Sequence, residues 1–361
     1  MRIADITARR LDVPMKKAFG IAGGAQEVAR NVLVEVRLTT GVRGWGEAAP
    51  LPAFNGETQH DALLAISHVA PALLGADVRA WRQVAEQIHA GASSSASAAC
   101  AVETAVFDAL ARANGVSLRL FFGGAETELV TDITITTGTV EDASREAREL
   151  GAGFATLKIK VGGGRDHDVE HDVARVLAVH AARPDAQLLL DANGGLSLHD
   201  ALHLATELRA RGVVPALFEQ PVAPGAGAWE ALAELRAKTK LKIAIDESVT
   251  KPEDVIAAHA AGAADAVNVK LMKSGIASAL DIVAATRACG LMPMIGGMVE
   301  TRLAMGTSAC LAAGLGGFAF IDLDTPLFLA EDPFTGGYTQ RGERLDVSAI
   351  DVGHGCVPRE A

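Results

Sequence analysis

From about residue 126 onward the chain repeats one pattern. Short apolar runs, each followed by an amphipathic helical stretch, occur at VTDITITTG, ATLKIKVG, AQLLLDANG, PALFEQPV, LKIAIDESV, DAVNVKLMK, LMPMIGGMV and GFAFIDLDT. Eight strand–helix units in about 200 residues suit a closed parallel barrel better than an open sheet. The rival is a doubly wound dinucleotide fold, whose signature is GxGxxG straight after a first strand. VGGGRDHD lacks that spacing, and GLGGFAF precedes a strand instead of following one. A barrel is therefore expected over residues 126–327.

The first 125 residues are ordered differently. Two strand-like runs, ITARRLDVP and NVLVEVRLTTG, flank the turn-rich KKAFGIAGGAQ, and helices are expected near 57–74, 79–89 and 97–114. Strands followed by helices make an α+β unit. The short low-complexity stretch GASSSASAA reads as a loop and helix start. A net charge of −11 lacks the basic face that nucleic acid requires. No run of eighteen apolar residues occurs, and MRIADITARR has no apolar leader core. Cys100, Cys289, Cys310 and Cys356 stand singly, which fits reduced thiols. A cytoplasmic protein that meets neither membrane nor nucleic acid, and assembles with its own copies, is expected.

In a barrel of this kind chemistry gathers at the C-terminal ends of the strands. Lys158 and Lys160 end the second strand, Asp191 the third, Glu219 the fourth, Asp246 the fifth, Lys270 the sixth, and Asp322 with Asp324 the eighth. From Lys160 to Lys270 the successive spacings are 31, 28, 27 and 24 residues, each about one strand–helix unit. Lys158 and Lys160 alternate with apolar neighbours, so both point to one side of their strand, and the side expected is the inside. One acid after a strand is an ordinary helix cap; three in register, in LLLD, ALFE and IAID, are not.

Converging carboxylates need a cation. A donor set without His or Cys selects a hard ion, Mg²⁺ before Mn²⁺, with Asp191, Glu219 and Asp246 as ligands. Asn193 and Glu247 would support them. The alternative is a structural ring of salt bridges between these acids and the lysines. Lys160 and Lys270 come from opposite sides of the barrel and would each serve one face of a carbon acid. Lys158 would contact the substrate carboxylate. Thr134 and Thr136 share a face of the first strand and are placed to reach substrate. Met294 and Met298 read as lining or core, and Gly296-Gly297 leaves room for a ligand. His167 and His171 sit at i, i+4, but their surroundings read as a solvated helix face.

Five motifs in order, K-x-K at 158–160, D-x-N at 191–193, EQP at 219–221, DES at 246–248 and KLMKSGI at 270–276, resemble the muconate-lactonizing subgroup of the enolase superfamily. The resemblance covers the whole chain. It implies a modified TIM barrel, (β/α)7β, of the α/β class. The α+β capping domain would be formed by residues 1–125 together with a tail, 328–361, that returns to it. It implies Mg²⁺, one per subunit, held by Asp191, Glu219 and Asp246, with Lys160 and Lys270 as the acid/base pair. Asp322-Leu323-Asp324 resembles the D-x-D of dipeptide epimerases, where the acids bind the α-ammonium of the substrate. A plain strand-end turn is the alternative for that pair.

The expected activity is thus 1,1-proton transfer at the α-carbon of a dipeptide's C-terminal residue, through an enediolate. The alternative is a lyase on the same site, an o-succinylbenzoate synthase or muconate cycloisomerase. A metal-free Schiff-base aldolase and a non-catalytic binding protein are more distant readings. Relatives acting on L-Ala-L-Glu place an arginine in the first cap loop. Here AFGIAGGAQE, residues 18–27, has no Arg or Lys, and the second cap segment offers Phe54, Glu47 and Glu57. Apolar or basic dipeptides are therefore expected ahead of L-Ala-L-Glu.

Overall fold

The structure, a computed structural model, describes residues 1–21, 24–163 and 168–359. The N-terminal layer opens with β1 (Ile3–Ile21), β2 (Gly24–Leu38) and β3 (Arg43–Ala48), an antiparallel sheet ordered β1-β2-β3. The segment read as turn-rich is mostly strand. Phe19 pairs with Gln26 and Gly20 with Ala25, after a register shift between Pro14 and Phe19. Hairpin pairing satisfies the backbone there, so the glycines lengthen the ribbon instead of ending it.

After the single turn α1 (Pro52–Asn55), helices α2 (Gln59–Leu73), α3 (Trp81–Gly91) and α4 (Ala96–Ala113) cover one face of this sheet. Thr58 and Asp61 close a capping box at α2, and Ser95 caps α4. Burial of α4 against β3 needs small residues at the contact. A Cβ at Gly46 would stand 1.9 Å from the Ala101 carbonyl oxygen. A short helix, α5 (Leu118–Phe121), and strand β4 (Glu128–Val130) lead to the barrel.

The barrel strands are β5 (Ile133–Ile135), β6 (Thr156–Lys160), β7 (Gln187–Asp191), β8 (Leu217–Glu219), β9 (Ile243–Ile245), β10 (Ala266–Lys270), β11 (Met292–Gly296) and β12 (Phe320–Ile321). They form one parallel sheet in chain order. The two edges meet where the Asp132 N–H donates to the Ile321 carbonyl at 3.0 Å. Between them run α6 (Val140–Glu149), α7 (Val169–Ala182), α8 (Leu198–Ala210), α9 (Ala228–Thr239), α10 (Pro252–Ala260), α11 (Leu271–Ala288) and α12 (Arg302–Leu315). A 3-10 turn, Thr325–Phe328, follows β12 in place of an eighth helix.

Four short strands close the chain: β13 (Phe334–Gly336), β14 (Thr339–Arg341), β15 (Arg344–Asp346) and β16 (Cys356–Pro358). This segment returns to the N-terminal layer. The Leu118 N–H reaches the Gly353 carbonyl at 2.7 Å, and the His354 N–H reaches Asp108 Oδ1 at 2.9 Å. One apolar cluster runs from Leu11 and Val13 through the barrel to Ile350 and Cys356. Among the described residues no helix is long and apolar enough to cross a membrane.

Candidate active site

Alternate residues of each barrel strand face the interior. Leu189, Leu217, Ala244, Ala266 and Met294 form an apolar plug on that side. Two residues further along, toward the strand ends, the same face carries Asp191, Glu219, Asp246 and Asn268, and four further on Lys270. The strand period that packs the plug therefore also aims the acids inward. None of the acids caps a helix: α8 is capped by Ser197, and α10 begins behind Lys251.

Lys158 and Lys160 enter this layer from β6. Lys158 Nζ lies 3.1 Å from Asp191, 2.7 Å from Glu219 and 2.6 Å from Asp322. Lys160 Nζ donates to Asp191 Oδ2 at 2.6 Å, and Lys270 Nζ lies 2.7 Å from Asp246 Oδ2. The salt-bridge ring weighed from sequence is thus present in the geometry. A ring alone does not account for the rest of the donor set. Each strand-end acid has one oxygen tied from behind: Asp191 Oδ1 by the Asn193 N–H at 3.0 Å, Glu219 Oε1 by Asn268 Nδ2 at 2.6 Å, and Asp246 Oδ1 by Lys273 at 2.6 Å. Glu219 Oε2 and Asp246 Oδ2 accept no hydrogen bond although lysines stand 2.7 Å away. Both buried oxygens stand against positive charge, the kind of partner a bound cation also supplies.

Charge balance points the same way. Eight buried or nearly buried carboxyls, those of Asp132, Asp191, Glu219, Asp246, Glu247, Glu300, Asp322 and Asp324, face four lysines, 158, 160, 270 and 273. Burial, then the Asp191 charge, pushes Glu219 up to about 7. Burial and Asp246 push Glu247 up to about 8, and burial pushes Glu300 to about 8. Burial would raise Asp191 as well, but Lys158 and Lys160 hold it below the usual carboxylate range. For Lys270, burial favours the neutral form, yet Asp246 and Glu219 outweigh it and raise its pKa. The acids outnumber the lysines, and oxygen donors in surplus over the nearby positive charge fit Mg²⁺.

A second acidic group flanks the first. Asp132, Asp322 and Asp324 offer oxygens within 4.8 Å of one another, the one such trio among the described residues. The strand-end acids are spread more widely, with Lys158 bridging Asp191 and Glu219. Asp324 Oδ2 accepts the Thr134 N–H at 2.6 Å, whereas both oxygens of Asp132 and Oδ1 of Asp324 lack partners. Burial and then Asp322 push Asp324 up to about 7 and raise Asp132 well above its ordinary range.

A pocket opens above these groups. It is lined by Thr134, Lys160, Asn193, Lys270, Gly297, Met298, Val299, Asp322, Asp324 and Thr325, with Leu51 and Phe54 of the N-terminal layer at its rim. Lys160 and Lys270 sit on strands four apart in an eight-stranded ring, so they face each other across it. Lys158 is fully buried and absent from the lining. Its ammonium is taken up by three acids, Asp191, Glu219 and Asp322. Asn193 Nδ2 and Glu247 Oε1 meet at 3.2 Å beside the acids. Gly296 leaves room for a side chain, not a ligand: a Cβ there would stand 2.8 Å from Asn268. Thr136 is absent from this lining, and its hydroxyl accepts from Lys17 Nζ at 3.4 Å.

The two cap acids turn away from the mouth. Glu47 accepts from Thr301 N–H at 2.9 Å and Asn31 Nδ2 at 2.6 Å, and Glu57 accepts from Ser95 and from Ser97 at 2.7 Å. Lys16 donates to the Leu327 carbonyl at 2.8 Å and Lys17 to Glu146. His171 meets the Gly138 carbonyl at 3.0 Å; His167, Ala22 and Gly23 lie outside the described residues.

Residues 4–123 match the mandelate racemase/muconate lactonizing enzyme N-terminal domain, and residues 142–361 match the enolase C-terminal domain-like family. The chain belongs to the enolase superfamily. Within it, an aromatic dipeptide epimerase of Herpetosiphon aurantiacus is 44% identical, over 98% of each chain. A solved mandelate racemase/muconate lactonizing enzyme of Roseiflexus sp. is 49% identical, with a TM-score of 0.93 over 100% of this chain and 99% of that one. A dipeptide epimerase of Enterococcus faecalis, solved with Mg and the dipeptide L-Leu-L-Tyr, is 31% identical, with a TM-score of 0.92 over 99% of both chains.

Sequence reading of this superfamily member missed three buried groups. Asp132 lies just ahead of β5, two residues before Thr134, so extending the period of two by one step could have found it. Lys273 follows Lys270 by three, and only the first was weighed. Glu300, in GGMVET, accepts the Met298 N–H at 2.7 Å, and no spacing in the sequence marks that turn.

Proposed function

We propose that this chain is a Mg²⁺-dependent dipeptide epimerase that inverts the α-carbon of the C-terminal residue by two-base proton transfer. One observation carries the reading. Two buried lysines, 160 and 270, face each other across a pocket that also holds the Asp322/Asp324 pair. A carbon acid between them presents one face to each. One lysine removes the α-proton, the enediolate forms in the substrate, and the protonated lysine opposite returns a proton to the other face. Asp322 and Asp324, with Thr134 orienting Asp324, would take the substrate's α-ammonium.

Asp191, Glu219 and Asp246 would hold the cation, with Asn193 and Glu247 beside them. When bound, Mg²⁺ supplies positive charge against the substrate carboxylate as it gains electron density. The trio Asp132, Asp322 and Asp324 is the competing cation site. It favours an ammonium because Asp322 is already held by Lys158 and Asp324 by the Thr134 N–H. Asp191→Asn is therefore expected to abolish Mg²⁺ binding, and Asp132→Asn to leave it.

The rim favours apolar side chains. Leu51, Phe54, Met298 and Val299 line it, and the acids that argued for basic dipeptides are engaged elsewhere. A γ-carboxylate would meet no cation from the N-terminal layer at this rim, since Lys16 and Lys17 are bound to other groups. A screen of dipeptides in D₂O tests the whole reading. Deuterium should appear at the C-terminal α-carbon, with kcat/KM for L-Ala-L-Leu or L-Ala-L-Phe types above that for L-Ala-L-Glu. Absence of exchange across a broad library defeats the epimerase; L-Ala-L-Glu ranking first defeats only the specificity.

A further inference from the structure

Lys273 plays no part in the proposed reaction, yet its side chain, 4% exposed, is as buried as those of Lys270 and Lys160, at 5% and 7%. It lies in the first turn of α11. That turn breaks at Gly275, whose backbone is non-helical, before the long part of α11 begins. Its three ammonium hydrogens all find acceptors. They meet Asp246 Oδ1 at 2.6 Å, the Asp246 carbonyl, and the Asn268 carbonyl at 3.1 Å. The ammonium thus joins the end of β9 to β10.

Asp246 is gripped at both oxygens by different kinds of lysine. Lys270 approaches Oδ2 at 2.7 Å from the pocket side, whereas Lys273 takes Oδ1 and is absent from the pocket lining. Asn268 treats Glu219 in the same way, donating to Oε1 at 2.6 Å and leaving Oε2 without a hydrogen bond. The pattern is one oxygen tied from behind, leaving the other to the lysine in front of it, 2.7 Å away in both cases.

We propose that Lys273 is a positioning residue for the divalent cation, holding Asp246 through Oδ1 so that Oδ2 faces the centre. It touches neither cation nor substrate. The inference rests on the ligand set proposed above, and its test separates the two. Mg²⁺ titration calorimetry without dipeptide is done on the full chain and on Lys273→Gln, Asp246→Asn and the double variant. Mn²⁺, followed by its free-ion spin resonance, covers weak binders.

Lys273→Gln should lower metal affinity about 10- to 100-fold. In the Asp246→Asn background the same change should cost little more, because the carboxylate through which Lys273 acts is gone. Unchanged affinity in Lys273→Gln overturns the proposal, and so does an equal loss in both backgrounds, which marks a general strand clamp. Wild-type affinity in Asp246→Asn defeats the ligand set instead. Thermal unfolding without metal checks the fold, and Lys273→Met, which keeps the aliphatic stem, gives the same reading if the glutamine variant does not fold.

Discussion

Lys160 and Lys270 are chemically alike and differ only in the strand that carries them, so their substitutions should have opposite signatures. Lys160→Ala should abolish deuterium exchange from one C-terminal enantiomer while part of the exchange from the other survives; Lys270→Ala should do the converse. Equal loss from both enantiomers in both variants, with metal still bound, contradicts the two-face assignment. A second residue-scale expectation concerns stability. Burial holds the His354 pKa below its ordinary value, where Nε2 meets the Trp45 carbonyl at 2.9 Å. A His with a depressed folded pKa contributes stability above its unfolded pKa of about 6.5, and that contribution is lost as pH falls below it, by at most about 1.4 kcal/mol per pH unit. Urea midpoints of wild type and His354→Asn should therefore converge between pH 7.5 and 5.5. A constant gap would mean that His354 does not titrate differently on unfolding.

At the scale of elements, the N-terminus of α12 is held by a residue far away in sequence. Glu47, at the end of β3, accepts from the Thr301 N–H at 2.9 Å and the Ala304 N–H at 3.3 Å, while Asn31 donates to Glu47 and to the Val299 carbonyl at 2.9 Å. Glu47→Ala removes a helix-end acceptor and strands Asn31 beside it. The expected cost is about 2–4 kcal/mol in urea unfolding, a cap plus unmet buried donors. The turn that carries Gly297 and Met298 precedes α12, so KM for dipeptides should rise more than kcat falls. A stability loss below about 0.5 kcal/mol would show that the contact is incidental. None of this is readable from the motif GGMVET alone, since the partner lies 254 residues away.

For the whole molecule, the apolar cluster decides cooperativity. Leu11, Val13, Ala29 and Leu33 of the N-terminal layer share one core with Ile135, Ile159 and Ile295 of the barrel and Phe328 and Ile350 of the tail. Separating the proposed capping domain from the barrel would expose that core. Calorimetry should therefore show a single unfolding transition, whereas two resolved transitions would make the units energetically independent.

The barrel itself was legible because strand and helix periods are local properties. LLLD, ALFE and IAID each announce a buried strand with an acid at its end, and successive units set the order around the ring. The pairing of Lys158 and Lys160 on one face follows from the period of two. Which face was inside followed only from the resemblance and the recurrence of acids at one height. What the sequence could not decide were contacts between residues that no period links. The burial of Lys158 under three carboxylates, the capture of Glu47 and Glu57 by other elements, and the grip of Lys273 on Asp246 depend on where helices pack once the ring has closed. Periodicity specifies the direction of a side chain along its own element, but the partner it meets is set by the relative placement of elements, and that is a property of the tertiary structure alone.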